Sequence, residues 1–345
     1  MTLRSIAAAL LGVGLLAVAV SSVDAQDNKK EKLKAPPRIA INEPTQLKDD
    51  ADFAVQGEYE GMADVDGTAE KVGAQVVAQG GGKFLIKAFR GGLPGAGWDG
   101  EVTKAGSAAR VGDTVTVSFD GLDVGTIAKG TLTAKVGSTT AKLTKVERKS
   151  PTLGAKPPEG AVVLFVEPGD EKNWNGGKLV ELSDGKYLNT GIKTKQAFGA
   201  FKAHVEFRLP WMPNSRGQGR GNSGVYLQDR YECQVLDSFG LNGENNECGG
   251  IYTQYKPLVN ACLPPLVWQT YDIEFTPAEF DADGKKTKPA RTTIMHNGIK
   301  IHDNIELKGP TGGGQKEEAK PGPFQFQNHG DPLVFRNVWV VETKK

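Results

Sequence analysis

Apolar and polar residues alternate along much of the second half of the chain. In "AFKAHVEFRL" Phe201, Ala203, Val205, Phe207 and Leu209 fall on one face. Lys202, His204, Glu206 and Arg208 fall on the other, as successive side chains of a strand must. "TYDIEF" repeats the pattern, with Tyr271, Ile273 and Phe275 against Asp272 and Glu274. "YECQV" sets Tyr231, Cys233 and Val235 against Glu232 and Gln234, and "FQFQ" sets Phe324 and Phe326 against Gln325 and Gln327. "RTTIMHNGIKIHDN" predicts a hairpin turning at Asn297-Gly298, because both turn positions favour a positive φ. No twelve-residue stretch has a helical period. Many strands with one apolar face predict an all-β fold of two packed sheets, a jelly roll.

The first half is also β-rich but differently organised. "GAQVVAQGGGKFLIKAF" predicts two strands about a glycine-rich turn, "DTVTVSFDG" one strictly alternating strand, and "KGTLTAKVGSTTAKLTKV" a further hairpin. Residues 39–148 form a small all-β module without histidine or convergent acids, which predicts a spacer dispensable for chemistry. Residues 149–160 ("KSPTLGAKPPEG") are a proline-stiffened linker. Residues 161–345 form the second domain.

Composition narrows the class. A net charge of +1 over 345 residues argues against nucleic acid as a partner. Arg4, an apolar run from Ile6 to Val20 and Val23-Asp24-Ala25 read as a secretory signal peptide over 1–25, followed by a disordered lead-in over 26–38. The mature protein is expected to be secreted or periplasmic, with no membrane insertion. In an oxidising compartment Cys248 and Cys262, both in loop-like sequence, are the expected disulfide, with Cys233 a buried free thiol.

The polar strand faces carry the candidate chemistry. Arg208, Glu232, Gln234, Gln325 and Gln327 project from strands without an apolar partner on that side. Loops add Asn222, Asp237 and His329. Asp237 has the opposite parity to Glu232 unless the strand twists or bulges. Of the four histidines, His329 follows a strand end, where sites form, and is the preferred acid or base. No cofactor is called for by any motif, no metal-ligand spacing occurs, and a divalent cation is left open.

"FKAHVEFRLPWMPNSRGQGRGNSGVYLQDRYECQVLDSFG", "NECGGIYTQYKP", "WQTYDIEFTP", "HNGIKIHDN" and "NHGDPLVFRNVWV" resemble the 3-keto-disaccharide hydrolase domain family over roughly residues 160 to 343. The preceding module, with "GGLPGAGWDG", resembles an N-terminal extension of planctomycete members. The resemblance implies a concanavalin A-like sandwich acting on glycosides oxidised at carbon 3, by proton abstraction at carbon 2, elimination and hydration. On that reading one of Glu232 and His329 removes the proton and the other assists the leaving group, and Arg208 stabilises the enolate. Asn222, Gln234, Gln327 and Asp237 bind the sugar, and Tyr252 or Trp268 stacks on a ring. The alternative is a carbohydrate-binding, lectin-like protein without turnover.

Overall fold

The computed structural model describes residues 38–100 and 103–343. The expected signal peptide and nearly all of the expected lead-in lie outside these residues. Eight strands make a closed antiparallel barrel in simple chain order: β1 (Gly57–Val65), β2 (Thr68–Gly80), β3 (Lys83–Arg90), β4 (Thr103–Val111), β5 (Thr114–Phe119), β6 (Leu122–Ala128), β7 (Thr131–Val136) and β8 (Thr139–Val146). Closure pairs β1 with β8 (Glu58 opposite Val146) and removes the free edges a small sheet would expose. Tyr59, Val76, Phe84, Ile86, Val115, Val117 and Ile127 fill its interior.

Fifteen further strands follow: β9 (Val162–Phe165), β10 (Trp174–Asn175), β11 (Leu179–Leu182), β12 (Gly185–Leu188), β13 (Ile192–Thr194), β14 (Phe201–Arg208), β15 (Ser223–Leu227), β16 (Tyr231–Val235), β17 (Trp268–Thr276), β18 (Glu279–Phe280), β19 (Lys286–Lys288), β20 (Arg291–His296), β21 (Ile299–Glu306), β22 (Gln325–Phe326) and β23 (Val334–Glu342). A five-stranded sheet runs β10-β13-β22-β15-β16. A larger sheet runs β11-β12-β23-β14-β17-β20-β21, with β9 beside β23. The two sheets enclose one core that includes Val205, Phe207, Val225, Tyr231, Cys233, Tyr271, Ile273, Phe326 and Phe335. This is the concanavalin A-like jelly-roll sandwich. The β20–β21 hairpin turns at Asn297-Gly298 with φ of 52° and 77°, the mirror-image turn that matches strand twist.

Two expectations change. Within the expected linker, 150–155 is laid against the outer face of the larger sheet. The Ser150 hydroxyl is 2.6 Å from that of Thr270, Thr152 donates to Asp272 (2.6 Å), the Gly154 amide donates to Glu206, and the Ala155 carbonyl accepts from Asn337 and Trp339. Nor does the barrel stand apart as a spacer. Trp211, just past β14, is fully buried among barrel side chains. It packs edge-on to Phe53 and exchanges two backbone hydrogen bonds with Ile41. The described residues all belong to one compact unit.

The three cysteines are all free and all buried, which corrects the expected Cys248–Cys262 disulfide. Their loops turn inward to the core, where a thiol behaves as a small apolar group. The Cys262 thiol donates to the Leu236 and Leu263 carbonyls (3.7 and 3.5 Å), and Cys248 Sγ lies 3.2 Å from the Tyr271 hydroxyl.

Candidate active site

The outward face of the five-stranded sheet is a polar floor. Register places Asn175, Lys193, Gln325, Tyr226 and Glu232 opposite one another in a row across β10, β13, β22, β15 and β16. Gly224 and Gln234 form the next pair, and the Gln327 amide bonds to the Gly224 carbonyl. Paired residues of neighbouring strands share a face, so Glu232, Gln234, Gln325 and Gln327 do face the same way. Of all the residues in these five strands, only Lys193 and Glu232 are charged.

Glu232 is 2% exposed. Burial pushes its carboxyl up from an ordinary 4.5 to about 7, while the hydrogen bond from Tyr226 pulls the other way. Loss of water disfavours the charged form. The phenol lies 2.9 Å from Glu232 Oε2, 2.6 Å from the Gly312 carbonyl and 3.2 Å from Gln327 Nε2, which donates to it. A phenol has one hydrogen. When Glu232 is ionised that hydrogen points to the carboxylate. When Glu232 is protonated the carboxyl donates to the phenol oxygen, and the phenol donates to Gly312. Both protonation states are therefore accommodated without moving a heavy atom. Gly224 leaves the room this needs, since a Cβ there would sit 2.1 Å from Glu232 Oε1.

Several acceptors on this face lack donors. Gln327 Oε1, Asn222 Oδ1 and Asp229 Oδ1 are buried without a partner. Unpaired buried acceptors are costly. Asn222 is held by its backbone amide on Asp331 (2.8 Å) and by its side chain on Gln218. Gln218 also accepts from Gln234 (3.1 Å). Tyr252 lies half-buried near Tyr226, its backbone amide bonded to the Glu232 carbonyl.

Four expected site residues are not gathered here. Arg208 pairs across β17 with Trp268 on the outer face of the other sheet. Its guanidinium lies between the Tyr187 and Trp268 rings (5.1 and 5.0 Å) and bonds to Asp184. Alternation separates core from outside but does not say which sheet a strand joins, so Arg208 and Trp268 are removed from the site. Asp237 is buried in an ion pair with Arg220, which also reaches the Ala78 carbonyl of the barrel, and so serves packing. His329 is exposed three residues beyond the end of β22, with no hydrogen bond to Glu232 among the described residues. Sequence reasoning missed Tyr226, Lys193, Asp229 and Gln218. The alternation that selected Glu232 also places Tyr226 on the floor, since the two are cross-strand partners.

A single carboxyl held near neutrality lies beside a phenol and partnerless acceptors on the outer face of the five-stranded sheet, beneath the segments that carry Tyr252 and Gly312. Comparison with known families supplies the assignment. The model of the 3-keto-alpha-glucoside-1,2-lyase-like domain matches residues 160–341, more than half of the chain, and the protein belongs to that family. It is also similar to a solved structure from Parabacteroides distasonis described as a candidate glycosyl hydrolase, at 34% identity over 54% of this chain and 85% of that one, with a TM-score of 0.48. A second structure from the same organism, described in the same words, shares 18% identity over 54% of this chain and 95% of that one, with a TM-score of 0.37. No curated protein matches the chain. Among the described residues no group of three His, Cys, Asp or Glu is placed to hold a metal ion, and no helix is long and apolar enough to cross a membrane.

Proposed function

We propose that the protein cleaves glycosides whose sugar carries a ketone at carbon 3, with Glu232 as the proton-transferring group. The observation that carries this reading is the lone buried carboxyl held near neutrality beside unpaired acceptors. An ordinary glycosidase needs two carboxyls flanking the bond, and these floor strands contribute one. A 3-keto sugar needs less, because its ketone acidifies the hydrogen on carbon 2.

Ionised Glu232 takes that hydrogen as a proton. The C–H electron pair becomes the C2–C3 double bond, and the carbonyl pair moves onto the oxygen of carbon 3. When those electrons return, the bond from carbon 1 to the aglycone oxygen breaks, and the alcohol leaves with a proton. Water then adds across the new C1–C2 double bond, giving the free 3-keto sugar with one water consumed overall. Asn222, Gln234 and Gln327 bind hydroxyls, and Tyr226 carries the hydrogen that accommodates either state of Glu232. A lectin would have use for the amides but not for a carboxyl displaced to its working range. From the leader pattern we also propose that the protein acts outside the cytoplasm, which sequencing the mature N-terminus tests.

Incubation with a chromogenic 3-keto-glucoside and with its unoxidised parent tests the assignment. Release from the keto compound alone is expected. Equal release from both, or from neither, refutes it.

A further inference from the structure

The second charged residue of the floor has a role of its own. Lys193 sits in a three-residue strand, β13, in the same cross-strand row as Glu232 and three strands away, a span of roughly 14 Å at about 4.8 Å per strand. Its ammonium is 2.7 Å from Asp229 Oδ2 and remains 42% exposed, while the Asp229 side chain is 9% exposed. The other carboxylate oxygen of Asp229 is buried without a partner. Asp229 belongs to the β15–β16 turn, where Gln228 and Asp229 both adopt left-handed backbone (φ 54° and 58°). Two non-glycine residues in that region cost free energy that other contacts must offset. Gln228 offsets part of it by donating to the Phe198 carbonyl and accepting from Arg230 (both 2.7 Å). The turn thus fixes Asp229 at the edge of the floor, and its charge is felt at the Tyr226 hydroxyl.

With Arg208 on the other sheet, the floor strands offer one cation to a developing negative charge. Resting on the reading above, we propose that Lys193, oriented by Asp229, contacts the oxygen at carbon 3 and stabilises the enolate formed when carbon 2 loses its proton. The ground-state ketone oxygen is neutral and the enolate oxygen is charged, so the ammonium binds the second far better than the first.

The test uses the full chain, a chromogenic 3-keto-glucoside, and free 3-keto-glucose in deuterium oxide. The latter has no aglycone, so exchange at carbon 2 reports enolate formation alone. Lys193→Met is expected to lower kcat about 10²–10³-fold, the scale for loss of one oxyanion contact, with KM changed much less and carbon-2 exchange slowed in parallel. Lys193→Arg should recover most of the loss. Should Lys193→Met fold poorly because Asp229 is left unpaired, the double variant with Asp229→Asn removes that burial cost and must be equally impaired. Exchange and turnover at wild-type rate in the Met variant or in the double variant would overturn the role of Lys193 while leaving the proposed reaction standing. No exchange in the wild type would overturn the reaction itself.

Discussion

The sandwich has two outward polar faces with the same alternating sequence pattern and opposite electrostatic states. On the larger sheet most of the polar groups satisfy one another, although Arg208 Nε is buried without a partner. His204 lies 2.6 Å from Asp272 and 3.3 Å from Glu206, and stacks on Trp339. Glu206 also takes Arg336 (2.7 Å), Asn337 (2.9 Å) and the Gly154 amide. Arg208 is enclosed by two rings and Asp184. The stretch 150–155 then lies over the cluster. Burial alone would raise the Glu206 pKa, but hydrogen bonds from His204, Asn337, Gly154 and Arg336 bring it from 4.5 to about 2. On the five-stranded sheet Glu232 is equally buried but has only the Tyr226 phenol, and its pKa moves to about 7. Two glutamates at equivalent strand positions thus diverge by several units because one is fully partnered and the other is not.

Exchanging each glutamate for glutamine should separate the two faces, and the largest effect belongs to Glu206. Breaking a buried charged network costs about 3–5 kcal/mol, so Glu206→Gln should lower unfolding stability by that order in denaturant titration at pH 7. The sign of the pH dependence follows from the depressed value. The wild-type contribution is present above the unfolded value of 4.5 and lost as pH falls toward 2, so the gap between variant and wild type should close in acid.

Glu232→Gln should do the reverse. A carboxyl raised from 4.5 to about 7 burdens the folded state once it must ionise. The burden is absent below pH 4.5, grows through neutrality and is complete above 7, where it amounts to about 3 kcal/mol at 1.36 kcal/mol per unit. The glutamine variant should therefore be more stable than wild type at pH 8–9 and indistinguishable at pH 4. A loss of stability at pH 8–9 would mean that Glu232 is a structural residue like Glu206.

A smaller shift is expected from Tyr226→Phe. The phenol favours ionised Glu232, so its loss should move the acidic limb of the rate profile upward by about one pH unit, the value of a hydrogen bond of about 1.4 kcal/mol. An unmoved limb would show that the phenol does not serve Glu232. The smallest effect should come from His329→Asn. An exposed imidazole without a bond to Glu232 predicts a change in turnover of about twofold or less, the usual scale for such surface positions. A hundredfold loss would return His329 to the chemistry.

What could be read from sequence divides along the same lines. Alternation located the strands and put Glu232, Gln234 and Gln327 on one face, because period two is a local property of the backbone. It failed for Arg208 and Trp268, because membership of one sheet or the other is decided by long-range pairing. Lys193 escaped notice in a strand too short to alternate, and Tyr226 because an aromatic residue in a strand reads as core. The barrel's closure, the docking of 150–155 and the burial of Trp211 all depend on contacts between distant segments. The cysteines showed the same limit. Loop-like sequence around Cys248 and Cys262 gave no sign that both thiols turn into the core.

The account rests on Glu232 acting as a base of near-neutral pKa, and kcat/KM for a 3-keto-glucoside from pH 5 to 9 tests it most directly. The wild-type rate should rise as Glu232 ionises, with a midpoint near 7. Glu232→Gln should be slower by about 10²–10⁴ above that midpoint, with no limb there. A wild-type profile flat through pH 7, or a glutamine variant that turns over at the wild-type rate, would contradict the account.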